Sequence, residues 1–504
     1  MTVLKVMKNN LNLFRADRNT SDAYKISRVV YLNIEKFLNT KNSNEFINLF
    51  KRYFKIPDTN IRRKFGTLLI NCYDFKKGKF NKQIKIRSIF KDILLLLVYL
   101  FRCAIFARKN KKKNYYGIIL YGIEDNKAVF RFSRLLSKFK KPLVVANKNF
   151  KTPNKKIKIE ALSKLGSVSR NFFNNNFLTI LILAIKTFNL SIKSRVNYIY
   201  FFNLIVLSII KNQEFFERNR SKILMDERFY ITCPIRNFYF KKFGGLTTSA
   251  PQKSICETCI SFYIDTDIFF SLGIEKFSQI RALEFGGKIK KFIPAGSLFM
   301  EHDWYRTKRD FKNVPNTDII VLGINTGRWF KINKINQKNY QYTYTNWIKK
   351  ISLKYPKLNI LIKHHESRWN NKFKKENDKE INFFKNTNVK VIFKTQSRNM
   401  SYSYLYKSKV AVSFGSTMIL ESLTLDKPSF YLDPNNNATN FYKGLNNLKN
   451  IKISRYSDFE KKMESIIFKK NKIKIKNVSS YCLKSDKVSD RIFKHLKKFN
   501  QKKK

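Results

Sequence analysis

The chain has 504 residues, 43% of them hydrophobic and 15% aromatic, with a formal charge of +67. That length exceeds what one hydrophobic core organises, so two domains with an added part are expected, and the apolar content excludes a disordered chain. The charge invites a nucleic-acid-binding reading with strong, salt-sensitive affinity, yet its excess is mostly Lys spread almost evenly, without a zinc finger, RNP-type aromatic motif or basic-region helix.

No specific nucleic acid is therefore expected as a partner; the same diffuse charge suits nucleotide phosphates and an anionic membrane surface. Of six cysteines only Cys256 and Cys259 have C-x-x-C spacing. The four histidines offer no H-x3-5-H partner, so no metal site is expected there. The first residues lack the apolar core and cleavage site of a signal peptide, which implies a cytoplasmic location, at the inner face of the cell membrane if the chain is membrane-peripheral.

Residues 1–113 read as a helical region. Within it the segment from Asp92 to Ala107 is the most apolar, too short to span a bilayer, and followed by the basic run Arg108 to Lys113. It fits either a helix lying in a membrane interface or a buried helix. From 114 to 300 the pattern changes. A strand at Tyr116 to Gly122 leads to Glu124 and Asp125, then a helix from Ala128 to Phe139 and a strand at Pro142 to Ala146. That β-loop-α-β opening begins a Rossmann-like half. Two apolar segments, Phe177–Ala184 and Tyr198–Ile210, are expected to be buried. Phe243 to Ser249 reads as a polar loop of the kind that faces a cleft.

A second α/β unit occupies 301–475. Strands are expected at Ile319 to Gly323, Leu358 to Lys363, Val389 to Phe393, Val410 to Ser413 and Phe430 to Leu432, with helices between them. A C-terminal helix and basic tail fill 476–504. Alternating strands and helices require right-handed crossovers and a parallel sheet, with ligands at the carboxyl ends of its strands. Gly323, Asn325, Thr326 and Gly327 fall at such an end. So do Lys363, His364 and His365, the turn Ser413, Gly415, Ser416 and Thr417, and Asp433. Ser416 or Thr417 can cap the helix that follows, whose first N–H groups would attract phosphate. Glu421, one turn in, is placed where a carboxylate takes a hydroxyl pair of a sugar or ribose.

From about Asp265 to Asp433 the order of features resembles bacterial GT-B glycosyltransferases of surface polysaccharide assembly. The same layout occurs in nucleotide-sugar 2-epimerases and CDP-glycerol glycerophosphotransferases. The residues that carry it are Asp267 to Gly273, Ile293 to Ser297, Lys363-His364-His365-Glu366, and Ser413-x-Gly-Ser-Thr with Glu421, Lys427-Pro428 and Asp433. Several relatives have His-Pro where this chain has His365-Glu366, which leaves both histidines as candidates. The resemblance implies two Rossmann-like domains facing a cleft, the C-terminal one holding a nucleotide-activated donor. It implies transfer of a sugar from a nucleotide sugar to a glycan or lipid-linked acceptor, with no cofactor and no metal. Either histidine would meet the leaving phosphate, with Lys363 adding charge. Glu124 or Asp125 would supply the base on the acceptor side.

Three alternatives stay open on sequence grounds. A CDP-glycerol-type polyol-phosphate transferase would share the scaffold. Asp265-Thr266-Asp267 is a D-x-D on a strand, as in metal-dependent GT-A transferases. The charge leaves the nucleic-acid-binding protein.

Overall fold

The computed structural model describes residues 21–74, 79–80, 84–105, 113–123, 126–146, 156–161, 170–227, 233–251, 263–274, 283, 285–302, 314–322, 345–364, 374–393, 400–413, 416–433, 451–471, 475–484 and 486–500. Two parallel sheets organise it. The first contains β1 (Ile119–Ile123), β2 (Leu143–Ala146), β3 (Lys158–Ala161), β4 (Ile223–Asp226), β5 (Leu246–Ser249), β6 (Asp265–Ser271) and β7 (Lys288–Pro294), in the order 7-6-5-4-1-2-3. The second contains β8 (Thr317–Leu322), β9 (Ile360–Lys363), β10 (Val389–Ile392), β11 (Ser408–Ser413), β12 (Ser429–Leu432) and β13 (Lys452–Ile453), in the order 10-9-8-11-12-13. Counted from its own first strand, each sheet runs 3-2-1-4-5-6, the doubly wound order, and the first carries one strand more. The α/β class with two Rossmann-like units, expected from the alternating pattern, is the observed one.

The strands are apolar on both faces because both faces are covered. In β8, Ile319 and Val321 join one core with Trp347, Ile348 and Phe459, while Ile320 and Leu322 join another with Leu405 and Leu420. Such burial selects continuous apolar runs over strict alternation. The same holds in β1, where Ile119 faces one side and Leu120 the other.

The helices that cover the first sheet come from unexpected parts of the chain. Helices α1 (Ser21–Leu38), α2 (Lys41–Phe54) and α3 (Asp58–Asn71) form one core with α6 (Arg170–Ser194), α7 (Tyr198–Arg218) and α8 (Pro234–Lys242). Phe46, Phe65, Tyr198 and Phe201 interlock there in tilted and edge-on contacts, with Ile119, Val145 and Leu224 of the sheet in the same cluster. The N-terminal helices are thus one layer of the first unit. On the opposite face, Val488, Ile492 and Leu496 of the last helix, Val488–Asn500, pack with Ile118, Leu120 and Phe270. The chain returns to the first unit after completing the second.

Two local expectations are corrected. Phe243 to Ser249 is not all loop: Leu246–Ser249 is an interior strand, its Thr247, Thr248 and Ser249 buried between β4 and β6. The segment Phe177–Ala184 is not buried throughout, since Leu178, Leu181 and Ile182 are exposed. Tyr198–Ile210 has the burial expected of it, with Phe201, Phe202, Ile205 and Ile209 inaccessible.

Candidate functional site

In a doubly wound sheet, neighbouring strands whose crossovers leave on opposite sides open a crevice at their carboxyl ends. In the second sheet these strands are β8 and β11, paired in parallel with Leu322 opposite Ser413. Ser413 Oγ donates to the Leu322 carbonyl at 2.8 Å and accepts the Ser416 N–H at 3.2 Å. One hydroxyl therefore ties the two strand ends together and shapes the turn beyond. Gly323, Asn325, Thr326, Gly327 and Gly415 lie outside the described residues; in sequence they continue directly from these two strand ends.

The helix after the turn, Met418–Leu423, is only six residues long. A single turn and a half sums few peptide dipoles, so the anion attraction expected of a long helix start is reduced to local amides and hydroxyls. Ser416 Oγ accepts the Met418 N–H at 3.3 Å, and the Ser416 carbonyl accepts Tyr431 Oη–H at 3.0 Å. Thr417 already has helical dihedrals and makes no side-chain cap. Of the two expected caps, the hydroxyl contact comes from Ser416.

Glu421 is turned away from the role expected of it. Its carboxylate is buried, and it accepts hydrogen bonds from Ser297 Oγ at 2.5 Å and Tyr402 Oη at 2.7 Å. Ser297 follows β7 of the first sheet, so Glu421 joins the two units, and both its oxygens are committed to protein hydroxyls. Burial raises its carboxyl above the ordinary range, against the opposing pull of Ser297, Tyr402 and Arg131.

The strand-end histidine is similarly packed. His364 is buried, donates its backbone N–H to the Ile392 carbonyl at 2.9 Å, and lies 2.7 Å through Nε2 from Glu380 Oε1. Its ring stacks on Phe393 with centroids 5.0 Å apart and planes 4° from parallel. This geometry corrects the expectation that His364 is open to a leaving phosphate: its Nε2 and one ring face are occupied from within the unit. Lys363 is buried too, its Nζ donating to the His364 carbonyl at 2.5 Å. Asp433, fully buried after β12, lies 3.7 Å from Lys452 Nζ and donates its N–H to Ile453. His365 lies outside the described residues, as do Glu124 and Asp125 after β1.

The D-x-D pair sits at the opposite end of its strand from a ligand crevice. Asp265 and Asp267 open β6, on one face of a parallel strand. Asp267 receives the Thr247 N–H at 3.1 Å and the Thr247 hydroxyl at 2.8 Å, with Lys241 Nζ at 3.1 Å and Lys290 Nζ at 3.0 Å. Asp265 lies 3.5 Å from the same Lys241. Burial pushes the Asp267 carboxyl up, but Lys241, Thr247 and Lys290 outweigh it and hold the group below its usual value. Two lysines fill the space that a cation would take, so the GT-A role proposed for Asp265 and Asp267 does not fit. Among the described residues no group of three or more His, Cys, Asp or Glu could hold a metal ion.

No motif in the chain marks one cluster at the other switch point. Asp226 ends β4 beside Tyr121 of β1, and Arg236 Nη2 donates to Asp226 Oδ2 at 2.6 Å while its guanidinium lies 4.4 Å from the Tyr121 ring centroid. Asp226 and Arg236 are buried, and Tyr121 is half-buried. Burial disfavours the charge on Arg236, but Asp226 outweighs this and keeps the guanidinium protonated. Asn237 adds a 2.5 Å bond to the Asp265 carbonyl, fixing α8 across the strands β4 to β6.

No family model matches this sequence, and no curated protein matches it. Among solved structures, the chain is similar to a UDP-GlcNAc 2-epimerase from Neisseria meningitidis bound to UDP-GlcNAc, at 12% identity over 76% of this chain and 100% of that one, with a TM-score of 0.46. It is similar to the UDP-GlcNAc 2-epimerase from Methanocaldococcus jannaschii at 11% identity, over 76% and 99%, also with a TM-score of 0.46. An alpha,alpha-trehalose-phosphate synthase (UDP-forming) from Burkholderia vietnamiensis matches at 8% identity over 76% and 96%, with a TM-score of 0.37. The observed layout is two doubly wound parallel sheets, with the last described helix returning to the first.

Proposed function

We propose that this chain is a glycosyltransferase that takes a sugar from a nucleotide-activated donor and places it on a surface-polysaccharide or lipid-linked glycan acceptor, without a metal. The observation that carries the reading is the second sheet's switch point. There the hydroxyl-rich turn from Ser413 and the glycine-bearing segment 323–327 leave adjacent strand ends, held together by the Ser413–Leu322 bond. That is where an open α/β sheet takes a nucleotide, and the motif order resembles GT-B transferases. In this reading Ser416, Thr417 and the amides of segments 323–327 and 413–417 meet the donor's phosphates. His365 replaces His364 as the histidine that stabilises the departing phosphate, because His364 is committed to Glu380 and Phe393. Glu124 or Asp125, following β1 of the first sheet, takes the acceptor proton.

The test is a thermal-shift panel of UDP, CDP, CMP, GDP and ADP and their sugars, repeated with Ser416→Ala/Thr417→Ala. One nucleotide at 100 times its dissociation constant should stabilise the protein by about 2.7 kcal/mol, and the double variant should lose most of that gain. No response to any nucleotide overturns the reading. A donor epimerised without an acceptor would make the protein an epimerase instead; transfer of a polyol phosphate would make it a CDP-glycerol-type transferase.

A further inference from the structure

Helix α4 (Ile89–Ile105) shows two contrasting faces. Leu96 and Leu100 point into the core of the first unit, and the buried Asp92 pins the helix by accepting Asn197 Nδ2–H at 2.6 Å, while its carbonyl accepts Asn203 Nδ2–H at 2.7 Å. The other face carries Phe90, Leu94, Leu97, Val98 and Phe101, exposed by 78, 62, 53, 48 and 68%. Those positions follow helical spacing, so the stripe is continuous and runs about 16 Å along the helix. Beside α4 lies α6, which sends Ile180, Leu183 and Leu190 into the same core. It leaves Leu178, Leu181, Ile182, Ile185 and Ile192 exposed. Soluble monomers rarely expose so large an aliphatic surface without a use for it.

The charge of the sequence segments that carry the two helices selects the occupant of the stripe. Residues 75–123, which include α4, hold 13 Lys and Arg and one acid, the buried Asp92. Residues 161–213, which include α6, hold six Lys and Arg and no acid. A second copy of the chain would bring like charge against like charge. An anionic bilayer meets both features, with its headgroups taking the cations and its acyl boundary taking the aliphatic residues. The stretch Asn176–Ser194 is long and apolar enough to cross a membrane by length and composition, but its inward face is committed to the core of the first unit.

We infer that α4 and α6 together form a docking surface on which the protein lies against an anionic phospholipid membrane, both helices in the plane of the interface. This surface is built by the first unit and does not depend on the donor reading. It is tested by co-sedimentation of the full chain with phosphatidylglycerol/phosphatidylethanolamine vesicles and with neutral phosphatidylcholine vesicles. The protein should pellet with the anionic vesicles, and Leu94→Glu/Leu178→Glu should lower the partition coefficient at least tenfold with an unchanged melting temperature. Because these side chains are exposed, the fold should tolerate the change; Lys91→Glu/Lys193→Glu, which spares the aliphatic stripe, should weaken anionic binding in the same direction. Equal pelleting of wild type and both variants would overturn the inference. So would a dimer in solution that Leu94→Glu/Leu178→Glu dissociates, or protein released from membranes by detergent but not by high salt with carbonate.

Discussion

Ser297 and Glu421 are 124 residues apart in sequence, and their side chains meet at 2.5 Å. One follows the last strand of the first sheet, the other rides the short helix beyond the second sheet's switch point. The candidate donor turn is thereby mechanically tied to the first unit, through a carboxylate that Tyr402 also holds.

Glu421 should make stability depend on pH. Its folded value is raised by burial above an ordinary value of 4.5. The contribution is then fully present below the unfolded value and is lost as pH rises through the folded one. Glu421→Gln removes this titration, so the difference in urea midpoint between variant and wild type should grow in the variant's favour as pH rises from the acid side. Glu421→Ala removes the acceptor shared by two hydroxyls and should cost about 1–3 kcal/mol. Parallel pH profiles for wild type and Glu421→Gln would refute the assignment.

Asp267→Asn should destabilise the first unit by about 1–3 kcal/mol at neutral pH, since a charged acceptor for Lys241, Lys290 and Thr247 is lost. Asp267 is held below its ordinary value, so the wild-type advantage should fade as acid takes the carboxyl through its folded pKa. Mn²⁺ should leave the melting temperature of the wild type unmoved. A metal-dependent rise that Asp267→Asn abolishes would restore the D-x-D as a ligand pair.

Arg236→Met should be the most damaging of these changes. It leaves the Asp226 carboxyl, already pushed up by burial, without its counter-charge in the interior, and breaking such a buried pair costs about 3–5 kcal/mol. Arg236→Met/Asp226→Leu should recover much of that loss. Chemical denaturation of the two variants decides it: a double variant as unstable as the single would show that the charges are not the source.

Gly273→Ala probes the crossing between the units. A Cβ there would run into the backbone of Ser480 and Tyr481, where the chain passes back over the first unit. Neighbouring bonds join Ile274 N–H to the Ser479 carbonyl and Leu483 N–H to the Leu272 carbonyl. Overpacking of about 1–3 kcal/mol is expected, read as a lowered urea midpoint. An unchanged midpoint would mean that the two segments separate easily.

Strands β1, β2, β6, β7 and β8 to β12 were legible in the sequence because burial writes apolar runs such as Ile319 to Leu322, whereas β3, β4, β5 and β13, short or rich in polar residues, were not. Legible too were the ends from which Ser413 and Asp433 emerge. What also escaped was every relation between distant residues. Glu421 looks like a ligand group because nothing local reveals Ser297. His364 looks free because Glu380 and Phe393 come from later elements. The aliphatic run in α6 reads as core, since composition does not say which face is covered. Likewise, helical periodicity near the start of the chain could not show that residues 21–71 are a layer of the first sheet's own core.

The helix Val488–Asn500 fills a face of the first sheet, and Ser489 secures it there by donating its backbone N–H and hydroxyl to Glu301. A ribosome making this chain delivers the first unit's sheet long before that helix exists. Until residues 488–500 leave the exit tunnel, the face that carries Ile118, Leu120 and Phe270 has Val129, Phe132 and Leu135 on it but lacks Val488, Ile492 and Leu496, and the nascent first unit must wait with an open seam. Neither half can be cut out and purified as an independent piece without either baring that seam or stranding the helix that closes it.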